Sequence, residues 1–210
     1  MKTKTVDGLR WYKTPEGDLY PSITSVLGTK EKPHLENWKK MLGPDKAKKE
    51  TDRCAERGTA VHLIAEKYLN NEEDPLKGQP NEYVKLFNQI RFGLNRINNI
   101  RVQEVPLYSK EFQVAGRVDC IAEFDKVLSV IDFKTSNGNK DESMIEDYFL
   151  QETFYALAYL ENFGEEILQI VTIMAVEKGA VPLIFKKNIL PYVSPLKKRV
   201  NEFYTNRVKK

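Results

Sequence analysis

Cysteine is nearly absent from this sequence: Cys54 and Cys120 are its only two. That excludes a disulfide framework and a four-cysteine cluster, and leaves two reduced, buried thiols of an intracellular chain as the simple reading. No stretch approaches the roughly 18 consecutive apolar residues that a bilayer-spanning helix needs. The start, Met1 to Thr5, leads into no apolar run and no arginine-rich, acid-poor leader. The expectation is a soluble cytoplasmic protein of a bacterium or a phage-infected host, without a membrane partner. Internal repeats and low-complexity tracts are also lacking. Charge of one sign is not in excess either, since 33 basic residues meet 30 acidic ones for a net +3, so bulk electrostatics identifies no partner.

What is there is enough apolar residue, 41% of the chain, to bury one full core. No composition break divides it, which predicts one domain over 1–210, with an N-terminal elaboration over 1–57, a core over 58–190 and a basic helix over 191–210. Basic residues do cluster, nine against six acids from Lys30 to Arg57, and Lys197, Lys198, Arg199, Arg207, Lys209 and Lys210 against Glu202 at the end. Such stripes can track phosphates, though solvated helix faces share the pattern.

Turn residues from Thr14 to Gly17 predict a short hairpin between 9–12 and 19–20. Leu35, Trp38, Met41 and Leu42 recur at helical spacing up to Gly43 and Pro44, a helical pattern follows over 45–69, and Tyr83, Val84, Leu86, Phe87, Ile90 and Leu94 mark another over 81–97. Strand-like runs occupy 102–108, 112–124 and 127–135; a helix over 143–162, strands at 167–176 and 183–187 and a helix after Pro195 complete the chain. This order predicts an α/β domain: a central mixed β-sheet flanked by helices, with a helical N-terminal elaboration.

The most informative segments are Gly116 to Asp119 and Ile131 to Lys134. Side chains alternate along a strand, so Asp132 and Lys134 share one face. If the strands over 114–124 and 127–135 form a hairpin turning at Asp125 and Lys126, Asp119 comes beside Asp132. Two carboxylates suit a hard divalent cation, and a neighbouring ammonium can stabilise charge beside it, which is what phosphodiester hydrolysis requires. His62 and Glu66, spaced i, i+4 on a predicted helix, share a face, and either could reach the same ion. In the company of two acids and a lysine, His62 is expected as a ligand; His34 has no such company.

Gly58 and its neighbours leading to His62, then Gly116-x-x-Asp119, Asp132-x-Lys134 and Gln151-x-x-x-Tyr155 resemble, in this order, the motifs of the PD-(D/E)xK nucleases, in their RecB-like exonuclease branch. Tyr20 to Leu27, Trp38 and Val130 to Ser136 are especially similar to the mitochondrial genome maintenance exonucleases and their phage or bacterial relatives, a similarity running over about 20–159. The resemblance implies a restriction-endonuclease-like core and a Mg2+- or Mn2+-dependent DNA exonuclease of replication, recombination or repair, preferring single-stranded ends or flaps and working beside replication or recombination proteins. It implies that His62, Asp119, Asp132 and the main-chain oxygen of Phe133 hold the ion, with Glu66 behind them. Lys134 would face the phosphorus as a charge stabiliser, and Gln151 and Tyr155 would hydrogen-bond near the lysine, the phosphate or the strand. The scarcity of cysteine excludes the iron–sulfur variants, and with no motor segment any helicase is a separate chain.

Tyr20, Ser22, Thr24, Trp38, Arg57, Arg117, Thr135 and Ser136 are expected to contact DNA, with Tyr20, Trp38 or Tyr148 stacking on unpaired bases. Ser22 and Thr24 equally suit a helix cap or turn, and Trp38 a packed core position. Two other functions stay open: a structure- or site-specific endonuclease or resolvase on the same metal core, and a non-catalytic DNA-binding accessory protein.

Overall fold

The structure, a computed structural model, describes residues 1–208; the side chains of His34 and Val208 lie outside the description, as do Lys209 and Lys210 of the basic C-terminal stretch. Three short antiparallel strands open the chain, β1 (Lys2–Val6), β2 (Leu9–Lys13) and β3 (Leu19–Pro21). The hairpin expected over 9–20 is β2 and β3. β1 adds to it, and the N-terminal elaboration is therefore part sheet; every residue of β1 is exposed, so no apolar alternation announces it.

α1 (Ile23–Gly28) follows β3 directly and buries Ile23, Val26 and Leu27. α2 (Pro33–Leu42) stops at Gly43, whose φ of 77° favours glycine, and α3 (Pro44–Leu69) begins at once. The apolar spacing of α2 makes a helix but not a core helix: it lies against α3, leaving Leu35, Met41 and Leu42 exposed and Trp38 half-buried. α4 (Asn81–Leu94) ends before the expected position 97, because Ile97 already pairs with Phe124 at the start of β4 (Ile97–Ser109).

β5 (Val114–Phe124) and β6 (Val127–Ser136) form the expected hairpin. Asp125 and Lys126 both take positive φ, 52° and 68°, the two-residue turn whose twist matches that of paired strands. α5 (Glu146–Phe163) then carries the chain to β7 (Gln169–Val176), parallel to β6, and β8 (Leu183–Asn188) returns antiparallel. α6 (Leu190–Val208) starts earlier than expected, with Pro195 inside it. The Asn188 side chain accepts from the Leu190 amide (2.9 Å) and starts the helix there, so Pro195 interrupts one backbone bond rather than marking the first turn.

The five-stranded sheet has the order β4-β5-β6-β7-β8 and is mixed. Ile64, Phe87, Ile90 and Leu94 from α3 and α4 cover one face over Cys120, Ile131, Phe133 and Ile173. Phe149, Leu150, Phe154 and Leu196 from α5 and α6 cover the other over Val118, Ile121, Val130 and Ile170. β6 and β7 are thus buried on both sides, which is why they read as nearly continuous apolar runs. Among the described residues no helix is long and apolar enough to cross a membrane.

Candidate metal centre and active site

The site begins where the central hairpin comes apart. β5 and β6 pair from Phe124↔Val127 up to Cys120↔Ile131, and the next register position sets Asp119 opposite Asp132. There the ladder ends, and the Asp119 carboxylate takes its place: Oδ2 accepts from the Phe133 amide at 2.8 Å. Amide and carbonyl of one strand residue point to the same side, so the Phe133 oxygen opens into the same gap.

A second irregularity aims the acids. β4 and β5 pair at Gln103↔Cys120 and again at Val105↔Val118, with Glu104 and Asp119 between them outside the ladder, and Glu104 has φ +52°. The two-residue alternation breaks at this level: Val114 and Val118 pack on the α5 side, whereas Cys120 and Ala122 pack on the α3 and α4 side. Both strands slip together, which preserves their pairing and turns Glu104 and Asp119 toward His62 on α3. His62 Nδ1 lies 3.4 Å from Asp119 Oδ2. Among the described residues, one ligand atom each from His62, Glu104 and Asp119 lie within 4.8 Å of one another. Two carboxylates and an imidazole so placed fit a hard divalent cation.

The expected ligands are therefore regrouped. Glu104 joins His62 and Asp119, and Asp132 stands next to that trio: its Oδ2 forms an ion pair with Lys134 Nζ and its Oδ1 accepts from Gln151 Nε2 (3.3 Å). The Gln151 amide also lies 3.4 Å from the Tyr155 hydroxyl, so α5 reaches Asp132 through a chain of two polar side chains. Gly116 makes room for it, since a Cβ there would stand 2.8 Å from the Tyr155 ring. Glu66 contributes its main-chain oxygen, accepting from Gln103 Nε2 at 2.9 Å, and its charge reaches Glu104. The one sign of Glu104 in the sequence is an acid inside a strand-like run; its partners lie 15 and 42 positions away, at Asp119 and His62.

Burial pushes the Asp132 carboxyl up to about 6, against the pull of Lys134 and with a further push from Asp119. Burial works against the Lys134 ammonium, but Asp132 and Asp119 outweigh it and hold its pKa above the ordinary lysine range. The two acids thus hold Lys134 as an ammonium. Its Nζ also lies 5.0 Å from the centre of the Tyr148 ring. Burial, then the Asp119 charge, raises Glu104. Burial raises the Cys120 thiol to about 12, so it stays protonated beside Asp119.

The expected DNA contacts divide. Thr24 and Arg117 are exposed, Tyr20 and Trp38 half-buried, and Arg117 Nη1 lies 3.6 Å from Glu104 Oε2. Ser22 is corrected: it is buried and caps α1, accepting from the Ser25 amide. Ser136 is buried and donates to the Gly138 oxygen (2.8 Å), holding the loop after β6. Arg57 is corrected too. Only 3% exposed, it donates to Thr135 Oγ1 (3.2 Å), Asn137 Oδ1 (2.7 Å) and Glu177 Oε2 (2.7 Å), locking α3 to the ends of β6 and β7. Its partner Glu177 comes from 120 residues away, so the sequence shows only an arginine in a basic stretch. The same pairing engages the Thr135 hydroxyl.

A model of the PD-(D/E)XK nuclease superfamily matches residues 82–187, which include Glu104, Asp119, Asp132, Lys134, Gln151 and Tyr155. The chain belongs to that superfamily, and its mixed sheet flanked by helices is a restriction-endonuclease-like α/β core. It is similar to mitochondrial genome maintenance exonuclease 1 of Homo sapiens, 30% identical over 147 residues that make up 65% of this chain and 40% of that protein. The Xenopus tropicalis protein of the same name is 27% identical over 173 residues, 76% of this chain and 49% of its own length. The Mus musculus one is 28% identical over 128 residues, 57% and 38%. The chain thus spans less than half the length of each of these relatives.

Proposed function

We propose that this chain is a Mg2+- or Mn2+-dependent deoxyribonuclease that hydrolyses phosphodiester bonds from DNA ends, preferring single strands or flaps, in replication, recombination or repair. The observation that carries the proposal is the gap between β5 and β6, where His62, Glu104 and Asp119 converge beside the Asp132–Lys134 pair. A divalent cation held by His62, Glu104 and Asp119, with Asp132 and the Phe133 oxygen adjoining, would supply positive charge to a phosphate oxygen and acidify water. Every other part is played by the chain itself. The Phe133 amide holds Asp119 in place, and Gln151 orients Asp132. Lys134 presents a fixed positive charge and a donor to the phosphate as negative charge builds on it.

Support for a single strand comes from the half-buried Tyr20, Trp38 and Tyr148, which can stack on bases, and from the exposed lysines 39, 40, 46, 48 and 49 of α2 and α3. The segment 1–57 is on this reading the DNA-contacting elaboration of one nuclease domain. The test is a time course on 5′- and 3′-labelled single strands with Mg2+, Mn2+ or chelator, beside blunt duplex and circular single strand. Expected are metal-dependent shortening, slower attack on blunt duplex and an intact circle. Cutting of the circle identifies an endonuclease; no cleavage of any end with either metal leaves a DNA-binding accessory protein.

A further inference from the structure

One buried carboxyl lies outside this chemistry. Glu152, the residue after Gln151 on α5, is fully buried between α5 and the sheet. Its Oε1 accepts from the hydroxyl of Thr172 on β7, itself fully buried. Its Oε2 is buried without a hydrogen-bond partner among the described residues. Thr172 is the register partner of Asp132 across the parallel β6–β7 ladder. Two consecutive residues of α5 therefore grip two laterally adjacent strand positions, Gln151 holding Asp132 and Glu152 holding Thr172.

Elsewhere this interface is apolar, with Phe149, Leu150 and Phe154 over Val130, Ile170 and Met174. Burying a carboxyl with one oxygen unsatisfied costs stability, and apolar residues of similar size at both 152 and 172 would remove that cost. Burial, then the Asp132 charge, raises the pKa of Glu152 well above the usual carboxylate range. A stability cost at the level of the site points to a role in the site.

We propose that Glu152 is a positioning residue for Asp132: by accepting from Thr172 it sets the depth and rotation of α5 at which Gln151 reaches the Asp132 carboxylate. This deepens the nuclease reading and rests on it for its consequence in turnover, while its structural content is independent of that reading. Glutamine at 152 keeps an acceptor for Thr172, leucine removes it, and valine at 172 removes the donor without changing shape.

The test uses the full chain and the variants Glu152→Gln, Glu152→Leu and Thr172→Val. Three readouts are taken: solvent exchange of the Gln151 side-chain amide protons by NMR, the melting temperature, and turnover of an end-labelled single strand with Mn2+. Expected for Glu152→Leu, at a temperature where it is fully folded, is Gln151 amide exchange at least tenfold faster and turnover at least tenfold lower, and for Glu152→Leu combined with Thr172→Val a melting temperature equal to or above that of the parent. Glu152→Gln stays within about threefold of the parent on both counts. Thr172→Val moves exchange and turnover in the same direction as Glu152→Leu and carries the test if that variant does not fold. Unchanged Gln151 exchange in Thr172→Val and in a folded Glu152→Leu overturns the proposal whatever turnover does. So does a loss of turnover that only parallels a falling melting temperature. An inactive parent whose Gln151 exchange still responds to these variants supports the positioning and removes only the nuclease reading.

Discussion

Replacing Gly116 by alanine tests how the packing under the site controls the site itself. A Cβ at 116 would stand 2.8 Å from Tyr155 Cε1, 2.9 Å from the Tyr155 hydroxyl oxygen and 3.1 Å from Ile23 Cγ2. The first two distances are shorter than van der Waals contact allows, and neither Tyr155 nor Ile23 has free space to enter, since both are buried in the same close-packed core. The strain is therefore shared between a shift of α5 and a tilt of the tyrosine ring. Overpacking of this kind costs about 1–3 kcal/mol. At about 2–4 °C per kcal/mol for a chain of this size, the melting temperature should fall by roughly 2–12 °C. The tyrosine is the far end of the Tyr155–Gln151–Asp132 chain, so turnover should fall more than the fraction folded does. Scanning calorimetry and cleavage of an end-labelled strand, both at a temperature where the variant is fully folded, separate the two effects. Adding Tyr155→Leu should restore the melting temperature but not the activity, because the clash goes and so does the hydroxyl. A Gly116→Ala variant with unchanged melting temperature and turnover would refute the reasoning.

Four further outcomes follow from the site. Lys134→Ala should bind DNA nearly as well as the parent and cleave at least about a hundredfold more slowly, because it removes charge where negative charge develops; full activity would remove the mechanism. Glu104→Gln should weaken Mn2+ binding by calorimetry at least about tenfold, since even outer-shell partners of a metal site are worth about 10- to 100-fold; an unchanged affinity would exclude Glu104 as a ligand. With the Asp132 pKa raised to about 6, its carboxyl gains a proton as pH falls through that value, and a cation must displace it. Mn2+ affinity should hence fall more steeply from pH 7 to 5 in the parent than in Asp132→Asn, a comparison that cancels protons taken up by the other ligands, and parallel profiles would contradict the burial argument. Arg57→Met should lower stability by about 1–3 kcal/mol, a loss limited by the Arg53 contact that Glu177 keeps, and leave DNA affinity at fixed salt within about twofold; a large fall in affinity would return Arg57 to the DNA surface.

The central hairpin and its chemistry were legible because they are local. Asp125 and Lys126 punctuate two apolar runs, and a period of two places Asp132 and Lys134 on one face. The helices were legible where an apolar stripe faces the sheet, as in α4. The stripe of α2 left burial open, because spacing records that a helix has an apolar face, not what lies opposite that face. Strand β1 has no stripe at all and pairs only through main-chain groups, to which side-chain patterns are blind.

Ser22, Ser136 and Arg57 show the limit on site residues. Each is a polar side chain near a motif, and each spends its hydrogen bonds on groups inside the fold. Glu104 shows the converse: nothing local distinguishes it, and a shared slip of β4 and β5 makes it a neighbour of His62 and Asp119. The order and spacing of residues thus determined the strands of the central sheet, the hairpin, the pairing level of Asp119 with Asp132 and the type of chemistry they can do, since these follow from covalent periodicity. Tertiary structure alone decided which polar groups face the gap, which are consumed inside the fold, and that Glu104 and Glu152 stand at the level of the site, because burial and cross-strand register are set by elements far apart in the chain.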